Sequence, residues 1–595
     1  MQLPRGRSLN QLTMTDGTAH PSDEEAKQPR DRGEAQFAPE PDDPAAVEPD
    51  GTPASPRAAP SGGRASAMVA AGILLSRISG LLREGIGAQY LGTSIYADAF
   101  RAGIRMPNIL QNLLGEGTLS SSFIPVYSEL LHQGKKEEAG RVAGAIFALL
   151  FVLAGALSLF GVLMAPVLTS VLLPGFQGEQ RELTIAITRI IFPMTGILVL
   201  SAWSLGILNS HRSFFIPYVA PVIWNVAIIG ALFFFGGKGV HPADLVVSVA
   251  WGALLGGALQ FGVQLPSVLR LAKPLKIRWD LKLEGVRAAI RTAGPAIMGR
   301  GVVQLSSYAD IVLASFLAAG AVSTFTYALT LYILPVSLFG MSVAAAELPE
   351  LARQRTAASE VLRQRARDGL ERIAFYVVPS FVAFLALGDV VVAALYQRGA
   401  FTRNDTLAVW VTLAGLSLGL IATTTSRMLS STFFALRDTK TPARFATARV
   451  ALSIVLGVVL MLQFEQITVR GFQLPGGYFT DVRVGGKQIG PLGLALGSGI
   501  AAWIEWFLLK RALRNRIGSV GARGSALARM FIAAFAGAAA GWAVRHYLVP
   551  GWHPIPQGVV VLGTYGAIYF ALAAAFGLEQ SSVLFRRVGR MVGIK

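Results

Sequence analysis

Charged side chains stand inside apolar stretches near the beginning of this chain. The first stretch contains Arg77 and Arg83. The next carries polar residues at intervals of three and four, namely Asp98, Arg101, Arg105, Asn108, Asn112 and Glu116. These intervals place the six on one stripe of a helix. Because guanidinium groups bind phosphate oxygens in pairs, the surplus arginines indicate a cationic cavity for an anionic group.

The same charges have a second interpretation, because Asp98 and Glu116 could instead pair with the arginines and tie helices together. Either arrangement must offset the cost of a charge at the centre of a bilayer, which is about 2.5–3.5 kcal/mol on insertion scales. Pro107 and nearby glycines would bend the helix and open its polar face.

A later apolar stretch adds two more charged residues. Arg300 would bring a cation from the second half of the chain. Asp310 stands within SSYADIVLASF, and a lone carboxylate in a membrane is a candidate proton or cation site. Its alternative is an ion pair with Arg300.

The composition explains why these charges must lie in a membrane. Of 595 residues, 53% are hydrophobic, only 15% are charged and none is cysteine. A soluble enzyme of this size would need more charge to coat its surface. Without cysteine there are no disulfides or thiolate sites. The sequence contains no phosphate-binding loop, nucleophile elbow or metal-ligand spacing, so we expect no cofactor and no ATP hydrolysis. We expect transport to be coupled to the membrane potential, Na⁺ or H⁺ instead.

The apolar stretches predict an all-α polytopic membrane protein with about fourteen transmembrane helices. A span needs about 20 residues, and in lipid the backbone must satisfy itself by forming a helix. The predicted spans lie near 66–90, 96–127, 142–173, 184–208, 215–235, 243–268, 286–318, 321–348, 370–396, 405–434, 443–463, 489–509, 528–547 and 557–578.

The net charge of +18 is concentrated in short loops, which is typical of membrane topology rather than of nucleic-acid binding. Loops that follow even-numbered spans carry most of the Lys and Arg. We therefore expect both termini in the cytoplasm. Residues 1–65 are rich in Pro, Asp and Glu and predict a disordered cytoplasmic tail.

An internal repeat divides the spans into two sets of six. The segment NSHRSFFIP ends at Pro217, and the similar segment ALRDTKTP ends at Pro442. Pro107 and Pro335 have nearly the same separation along the chain, as do Arg77 and Arg300. The repeat predicts an N-lobe over 66–271 and a C-lobe over 272–512 in parallel orientation, followed by two helices and a basic tail over 513–595, with the substrate site between the lobes.

One loop between spans differs from the others. Residues 464–488 alternate apolar and polar types around Pro475-Gly476-Gly477. This pattern predicts a β-hairpin that turns at those residues, and the alternative is a solvated connector.

The first two spans resemble the MurJ (MviN) family of bacterial lipid II flippases. The resemblance rests on SRISGLLREGIGAQYLGTSIYADAFRAGIRMPNILQNLLGEGTLSSSFIPVYSEL, and also on ILNSHRSFFIP, LYQRGAFTRNDT and FFALRDTKTP. It covers roughly residues 66–585. The family belongs to the multidrug/oligosaccharidyl-lipid/polysaccharide exporters. It implies fourteen helices, two lobes, a central cationic cavity and alternating access.

The resemblance also implies roles for single residues. The essential arginines of the family's first helix match Arg77 and Arg83, its conserved aspartate matches Asp98, and Arg105 and Glu116 match positions around its Leu-Pro-Asn segment. Members with a sodium site carry an acidic residue at about the place of Asp310. The chain departs from the pattern where well-studied members have arginines, because it has Gln111 and Thr330. Arg101 and Arg300 would replace the lost charge.

These inferences favour a lipid II flippase rather than an enzyme. Its substrate would be a polyprenyl-diphosphate glycolipid, moved from the cytoplasmic to the periplasmic leaflet by a monomer. The alternatives are an ion-coupled multidrug exporter, an exporter of another polyprenyl glycolipid, and a non-transporting scaffold whose tail recruits cell-wall synthesis machinery.

Overall fold

The computed structural model describes residues 63–353, 359–469 and 472–581. Within these ranges, side chains are not described at 63–68, 70, 296, 298–307, 359, 468–469 and 472. The predicted disordered tail falls almost entirely outside the described residues, and so does the side chain of Arg300.

Helices dominate the described chain and run back and forth between two ends. They are α1 (Gly63–Leu91), α2 (Ile95–Arg105), α3 (Asn108–Leu114), α4 (Glu116–His132), α5 (Lys136–Leu172), α6 (Gly178–Ser210), α7 (Phe215–Gly236), α8 (Pro242–Leu271), α9 (Glu284–Ser315), α10 (Ala321–Pro335), α11 (Ser342–Arg353), α12 (Ser359–Ala386), α13 (Gly388–Tyr396), α14 (Arg403–Ser417), α15 (Leu420–Ala435), α16 (Lys440–Phe464), α17 (Gly490–Ile517), α18 (Gly524–Ala543) and α19 (Pro554–Ala575). Single π-helical turns, Val336–Met341 and Val544–Leu548, follow α10 and α18.

Four short strands form two antiparallel hairpins between α16 and α17. They are β1 (Ile467–Val469), β2 (Phe472–Leu474), β3 (Arg483–Val484) and β4 (Lys487–Gln488). The first hairpin pairs Ile467 with Leu474, and the second pairs Arg483 with Gln488. The predicted position of the turn is wrong, because Pro475-Gly476-Gly477 lies between the hairpins. The Gly485-Gly486 pair, with φ of 59° and 73°, turns the second hairpin, since only glycine adopts such angles without strain.

The all-α polytopic class is confirmed, but the count of fourteen spans is not. Eleven helices of the described chain are long and apolar enough to cross a membrane. The predicted spans that fall outside this set are α1, the α2–α4 segment and α9. These segments carry every candidate site residue. Helices α2, α3 and α4 have 11, 7 and 17 residues, so each is too short to cross a membrane alone.

The second predicted span is interrupted twice. Helix α2 ends at Arg105, Pro107 precedes α3, and Gly115 separates α3 from α4. A proline ring cannot donate an N–H to the helix ladder, which explains the first break. The predicted bend is thus present, while the single continuous stripe from Asp98 to Glu116 is divided among three helices.

The internal repeat appears in the backbone as well as in the sequence. Among the described residues, Arg212 and Arg437 are the non-glycine positions with positive φ, at 57° and 60°. They follow α6 and α15, and their separation along the chain equals that of Pro217 and Pro442. After each of them the next N–H donates to a carbonyl five residues earlier, at 2.8 Å from Ser213 and 2.9 Å from Asp438. Both helices therefore end in the same αL turn.

Helix α9 packs against helices from both sides of the repeat. Its early residues Val286 and Ala289 join a buried cluster with residues of α4, α5 and α6. Its late residues Ile311 and Ala314 join a second cluster that contains residues of α10, α14 and α17. The lobe boundary at residues 271 and 272 stays a prediction.

The last two helices pack against α12 and α13. Tyr565 and Tyr569 donate from their hydroxyls to backbone carbonyls of α12, at 2.6 Å each. Buried aromatic rings satisfy their polar ends in this way. The α18–α19 pair is therefore fixed to the second half of the chain.

Candidate functional site

The centre of the candidate site is the carboxylate of Glu84 on α1, held between two arginines. Arg83 and Arg101 each approach one of its oxygens at 2.7 Å. The three side chains are mostly buried, with exposed fractions of 23% for Arg83, 16% for Glu84 and 13% for Arg101. Two cations around one anion leave a net positive charge, so the cluster can attract a further anion.

The Arg83 guanidinium is oriented by three neighbours. Besides Glu84, it donates to the side-chain oxygen of Asn225 on α7 at 3.0 Å, and it lies 4.8 Å from the centre of the Trp224 ring. Asn225 in turn donates to the Ser79 hydroxyl at 2.9 Å. A mostly buried guanidinium fixed in this way is preorganised to bind two oxygens of a carboxylate or phosphate group.

Arg101 connects the two halves of the chain. Its guanidinium carbon lies 3.8 Å from the centre of the Tyr327 ring on α10, within the distance of a cation–π contact. The Tyr327 hydroxyl donates to the Gly92 carbonyl at 3.3 Å. The Arg101 side chain of α2 therefore contacts the second half of the repeat.

Arg77 also reaches the second half, at the π-helical turn after α10. It donates to the Ser337 hydroxyl at 2.9 Å. A hydroxyl is a weak neutral partner for a guanidinium compared with a phosphate oxygen, so an anion entering here would offer Arg77 a stronger acceptor than Ser337 does.

Asp98 does not hold the arginines, as one interpretation of the sequence expected. Its buried carboxylate accepts from the backbone N–H groups of Gly320 and Ser323, at 2.7 and 2.6 Å. These groups are at the beginning of α10, where unpaired N–H donors and the helix dipole favour an anion. Asp98 therefore caps a helix of the other half.

Two further residues of the predicted stripe, Arg105 and Glu116, interact with helices other than α1. Tyr308 on α9 donates to the Arg105 carbonyl, and its ring centre lies 6.0 Å from the Arg105 guanidinium. Glu116 begins α4 and interacts electrostatically with Tyr218 of α7. The structure thus brings Arg83 and Arg101 together at Glu84, while Arg105 contacts α9 and Glu116 interacts with α7.

Two arginines act electrostatically on Asp310. They are Arg105 and, on α16, Arg449. Arg449 also forms an ion pair with Glu505 of α17 at 3.0 Å. Its guanidinium donates to the Thr423 hydroxyl, which also accepts a hydrogen bond from the Tyr332 hydroxyl at 2.9 Å. Among the described residues, no group of three acidic or histidine side chains could hold a metal ion.

An apolar cavity of about 210 Å³ lies beside Tyr308. Its walls come from α3, α5, α9 and α16, through Ile109, Leu172, Leu313 and Ile454. Such a space suits hydrocarbon and not a charged group.

The halves of the chain meet through polar contacts at one end, here called the hairpin end because β1–β4 lie there. The N–H of Ala400 donates to the Gln89 carbonyl at 2.7 Å. Asp405 accepts from the Thr93 hydroxyl and pairs with Lys487 of β4, which also donates to the Thr93 carbonyl at 3.1 Å. The second hairpin is therefore a bridge between halves and not a solvated connector.

Sequence reasoning missed the partners that orient the predicted arginines. Glu84 directly follows Arg83, and this neighbouring opposite charge was a usable signal. Tyr327 and Ser337 are uncharged and lie far along the chain, so no local pattern marks them. Gln111 lies in α3, and the Thr330 hydroxyl donates to the Thr326 carbonyl of its own helix at 2.8 Å. Neither contributes charge.

The fold and its buried arginine cluster define a class of protein, the polytopic membrane transporters. A family described as lipid II flippase MurJ matches residues 87–472. The chain is 32% identical to a probable lipid II flippase MurJ of Rhizobium tropici over 67% of this chain and 75% of that relative. It is 30% identical to the lipid II flippase MurJ of Burkholderia cenocepacia over 76% of this chain and 84% of that protein.

Solved structures agree on the fold. A lipid II flippase MurJ in an inward closed conformation has a TM-score of 0.67 at 23% identity, covering 88% of this chain and 99% of its own. An inward-facing multidrug resistance MATE transporter of the MOP superfamily has a TM-score of 0.57 at 18% identity, covering 73% of this chain and 95% of its own.

The chain belongs to the lipid II flippase MurJ family. The predicted resemblance is thereby confirmed, as is the expectation of a transporter rather than an enzyme. With eleven apolar helices in the part of it that the structure describes, the chain is a multi-pass protein of the bacterial inner membrane.

Proposed function

We propose that this chain flips lipid II from the cytoplasmic to the periplasmic leaflet by alternating access. The observation that carries the proposal is the placement of Arg77, Arg83 and Arg101. All come from the first half of the repeat, and two of them contact the second half. A ligand held there would sense any change in how the halves meet.

The diphosphate of the substrate binds by exchanging partners with the arginines. Its oxygens replace the Ser337 hydroxyl at Arg77 and compete with Glu84 at Arg83. A phosphate oxygen carries negative charge and the Ser337 hydroxyl does not, so the charge attraction to the guanidinium favours the exchange at Arg77. The polyprenyl tail stays in the bilayer, and apolar surface such as the cavity beside Tyr308 accommodates hydrocarbon.

Transport requires the hairpin end to open. The contacts of Gln89 with Ala400, and of Thr93 with Asp405 and Lys487, must separate when the headgroup leaves on the periplasmic side. Asp98 must also leave the beginning of α10. These contacts are polar and near the end of the helices, where water can replace the lost partners.

The membrane potential assists both parts of the cycle. An inside-negative potential drives an anionic headgroup outward and returns an empty cationic cluster inward. Each charge that crosses the full potential contributes about 2.3 kcal/mol per 100 mV. Neither step needs ATP.

Arg101 supplies the cation that well-studied members of the family have at the position of Thr330. The Arg101 guanidinium lies over the Tyr327 ring of α10. Thr330 is three residues further along α10, so it lies on the same face of that helix. A guanidinium from α2 thus occupies the region that an arginine at position 330 would reach.

The proposal is tested by complementation of a bacterium depleted of its own lipid II flippase. Arg77→Ala and Arg83→Ala should abolish rescue at normal protein levels, because each removes a fixed donor for the diphosphate. Headgroup exposure at the outer leaflet gives a direct second readout.

The matched control is Arg189→Ala on α6, which removes an exposed arginine from another membrane helix. It should rescue as well as the parent chain. Full rescue by both Arg77→Ala and Arg83→Ala would exclude the arginine cluster as the substrate site.

A further inference from the structure

A polar cavity lies at the hairpin end, away from the arginine cluster of α1 and α2. Its volume is about 450 Å³, within the range of about 300–1,000 Å³ that is usual for small-molecule sites. The residues that line it include Asp389 of α13, Arg403 of α14, and Trp542, Arg545, His546 and Gln557 around the α18–α19 turn.

The two arginines of this cavity are held by one buried carboxylate. Both terminal nitrogens of the Arg545 guanidinium contact the Asp389 carboxylate, at 2.8 and 3.1 Å. A terminal nitrogen of Arg403 contacts the same carboxylate at 3.0 Å. The exposed fraction of the Asp389 side chain is 5%, whereas it is 26% for Arg545 and 46% for Arg403. The Asp389 carboxylate is therefore more deeply buried than the two guanidinium groups, which give the exposed part of the site a positive charge.

The surroundings place the cavity at the headgroup level of a bilayer. Trp542, Tyr547 and Trp552 are at least half exposed and follow one another at the end of the α18 span. Tryptophan and tyrosine concentrate where lipid headgroups meet water. Trp542 also stacks on His546 at 5.4 Å with a 5° interplanar angle, which gives the cavity a rigid aromatic wall.

We propose that this cavity is a second anion site that binds the phosphate of a lipid headgroup. Two forked guanidinium groups, preorientated by Asp389, can each offer paired N–H donors to phosphate oxygens. The aromatic wall borders the lipid phase, so the ligand is a lipid and not a free ion. The site is independent of the transport cluster and does not rest on the proposed function.

The test measures lipid retention by the purified full chain in an uncharged detergent. Delipidated protein is titrated with phosphatidylglycerol, with zwitterionic phosphatidylcholine, and with inorganic diphosphate, and native mass spectrometry counts bound molecules. We expect one phosphatidylglycerol bound at least tenfold more tightly than phosphatidylcholine, and diphosphate only at far higher concentration.

Arg403→Gln is the main variant, because it removes one cation while Arg545 still neutralises Asp389. It should weaken phosphatidylglycerol binding about tenfold. Arg545→Lys keeps the ion pair but loses the fork, and it should weaken binding as well. The matched control is Arg529→Gln, an exposed arginine near the opposite end of α18, which should bind like the parent chain.

Three results would overturn the proposal. One is equal retention of phosphatidylglycerol and phosphatidylcholine, and another is unchanged binding in both Arg403→Gln and Arg545→Lys at parental melting temperature. The third is saturation by diphosphate with no bound phosphatidylglycerol, which would show that the lipid assignment is wrong.

Discussion

At the scale of single residues, the distinctive feature is an arginine cluster that is already partly neutralised. Glu84 pairs with Arg83 and Arg101, and Ser337 accepts from Arg77. Such partners keep the guanidinium groups oriented while no substrate is bound. They also make binding an exchange of partners, which limits affinity and allows release.

The position of Arg101 predicts that charge can be moved between helices. Arg101→Ala should reduce headgroup exposure by more than tenfold, since the cation beside Tyr327 is lost. Adding Thr330→Arg should restore a substantial part of that activity, because residue 330 shares the face of α10 that Arg101 covers. Flipping in cells that depend on the variant chain provides the measurement.

The control for this exchange is Arg101→Ala combined with Thr330→Met, which fills space without charge. It should remain inactive. Equal recovery by methionine and arginine would mean that Arg101 acts only through packing.

The surroundings of Asp310 predict transport without sodium. Arg449 forms an ion pair with Glu505 and acts electrostatically on Asp310, so a guanidinium already offsets the negative charge in this region. Flipping rates in proteoliposomes should agree within about twofold between sodium and potassium buffers at equal ionic strength and potential. Loss of flipping when sodium alone is withdrawn would refute this assignment.

At the scale of elements, the hairpin end combines the contacts that join the halves with a carboxyl group that titrates near neutrality. Glu465, just after α16, is buried, and it accepts from the N–H of Ala318 in the turn between α9 and α10. Burial raises its pKa to about 7 from the ordinary 4.5, although hydrogen bonds from Ala318 and Gly490 oppose the rise. This carboxyl group connects the hairpin segment to α9.

The raised pKa of Glu465 predicts a pH-dependent stability. The folded chain favours the protonated carboxyl, so its contribution is complete below about pH 4.5 and is lost as the pH rises through 7. The melting temperature of the purified chain should therefore fall as the pH rises from about 4.5 to about 7, and it should level off above that pH. Glu465→Gln should flatten this dependence, since an amide does not titrate.

Exposed Glu179 at the start of α6 offers a control for the pH measurement. Glu179→Gln should retain the parental pH dependence. If Glu465→Gln retains it as well, the titrating group lies elsewhere.

Much of the architecture could be predicted because lipid restricts the backbone to helices. The predicted span 215–235 coincides with α7 (Phe215–Gly236), and 443–463 lies within α16 (Lys440–Phe464). In both cases the length of the apolar stretch in the sequence was enough to predict the helix. A bend at Pro107 and the nearby glycines was predicted from the sequence, but the division into three separate helices depends on local backbone geometry.

The site was less predictable than the fold. Spacing placed Arg101 and Asp98 on one helix face, but it could not show that Arg101 meets Tyr327 and that Asp98 caps α10. Those partners belong to a helix in the other half of the repeat, far away in the sequence. A periodic pattern gives the direction of a side chain and not the identity of its neighbour.

At the scale of the whole molecule, two repeated sets of helices meet around the arginine cluster and touch at the hairpin end. The matching αL turns at Arg212 and Arg437 show that the repeat extends to backbone detail. Flipping by alternating access requires these sets to move relative to one another. The contact between Gln89 and Ala400 is a direct place to prevent that movement.

The most direct test joins the halves through Gln89→Cys and Ala400→Cys, whose backbones are in hydrogen-bond contact. Because the native chain has no cysteine, any disulfide is the introduced one. A matched pair, Gln463→Cys and Phe479→Cys, has a similar 2.9 Å backbone contact within the second half. Oxidation should abolish headgroup exposure only in the first pair, and reduction should restore it. Full activity of the completely cross-linked first pair would contradict alternating access at this end.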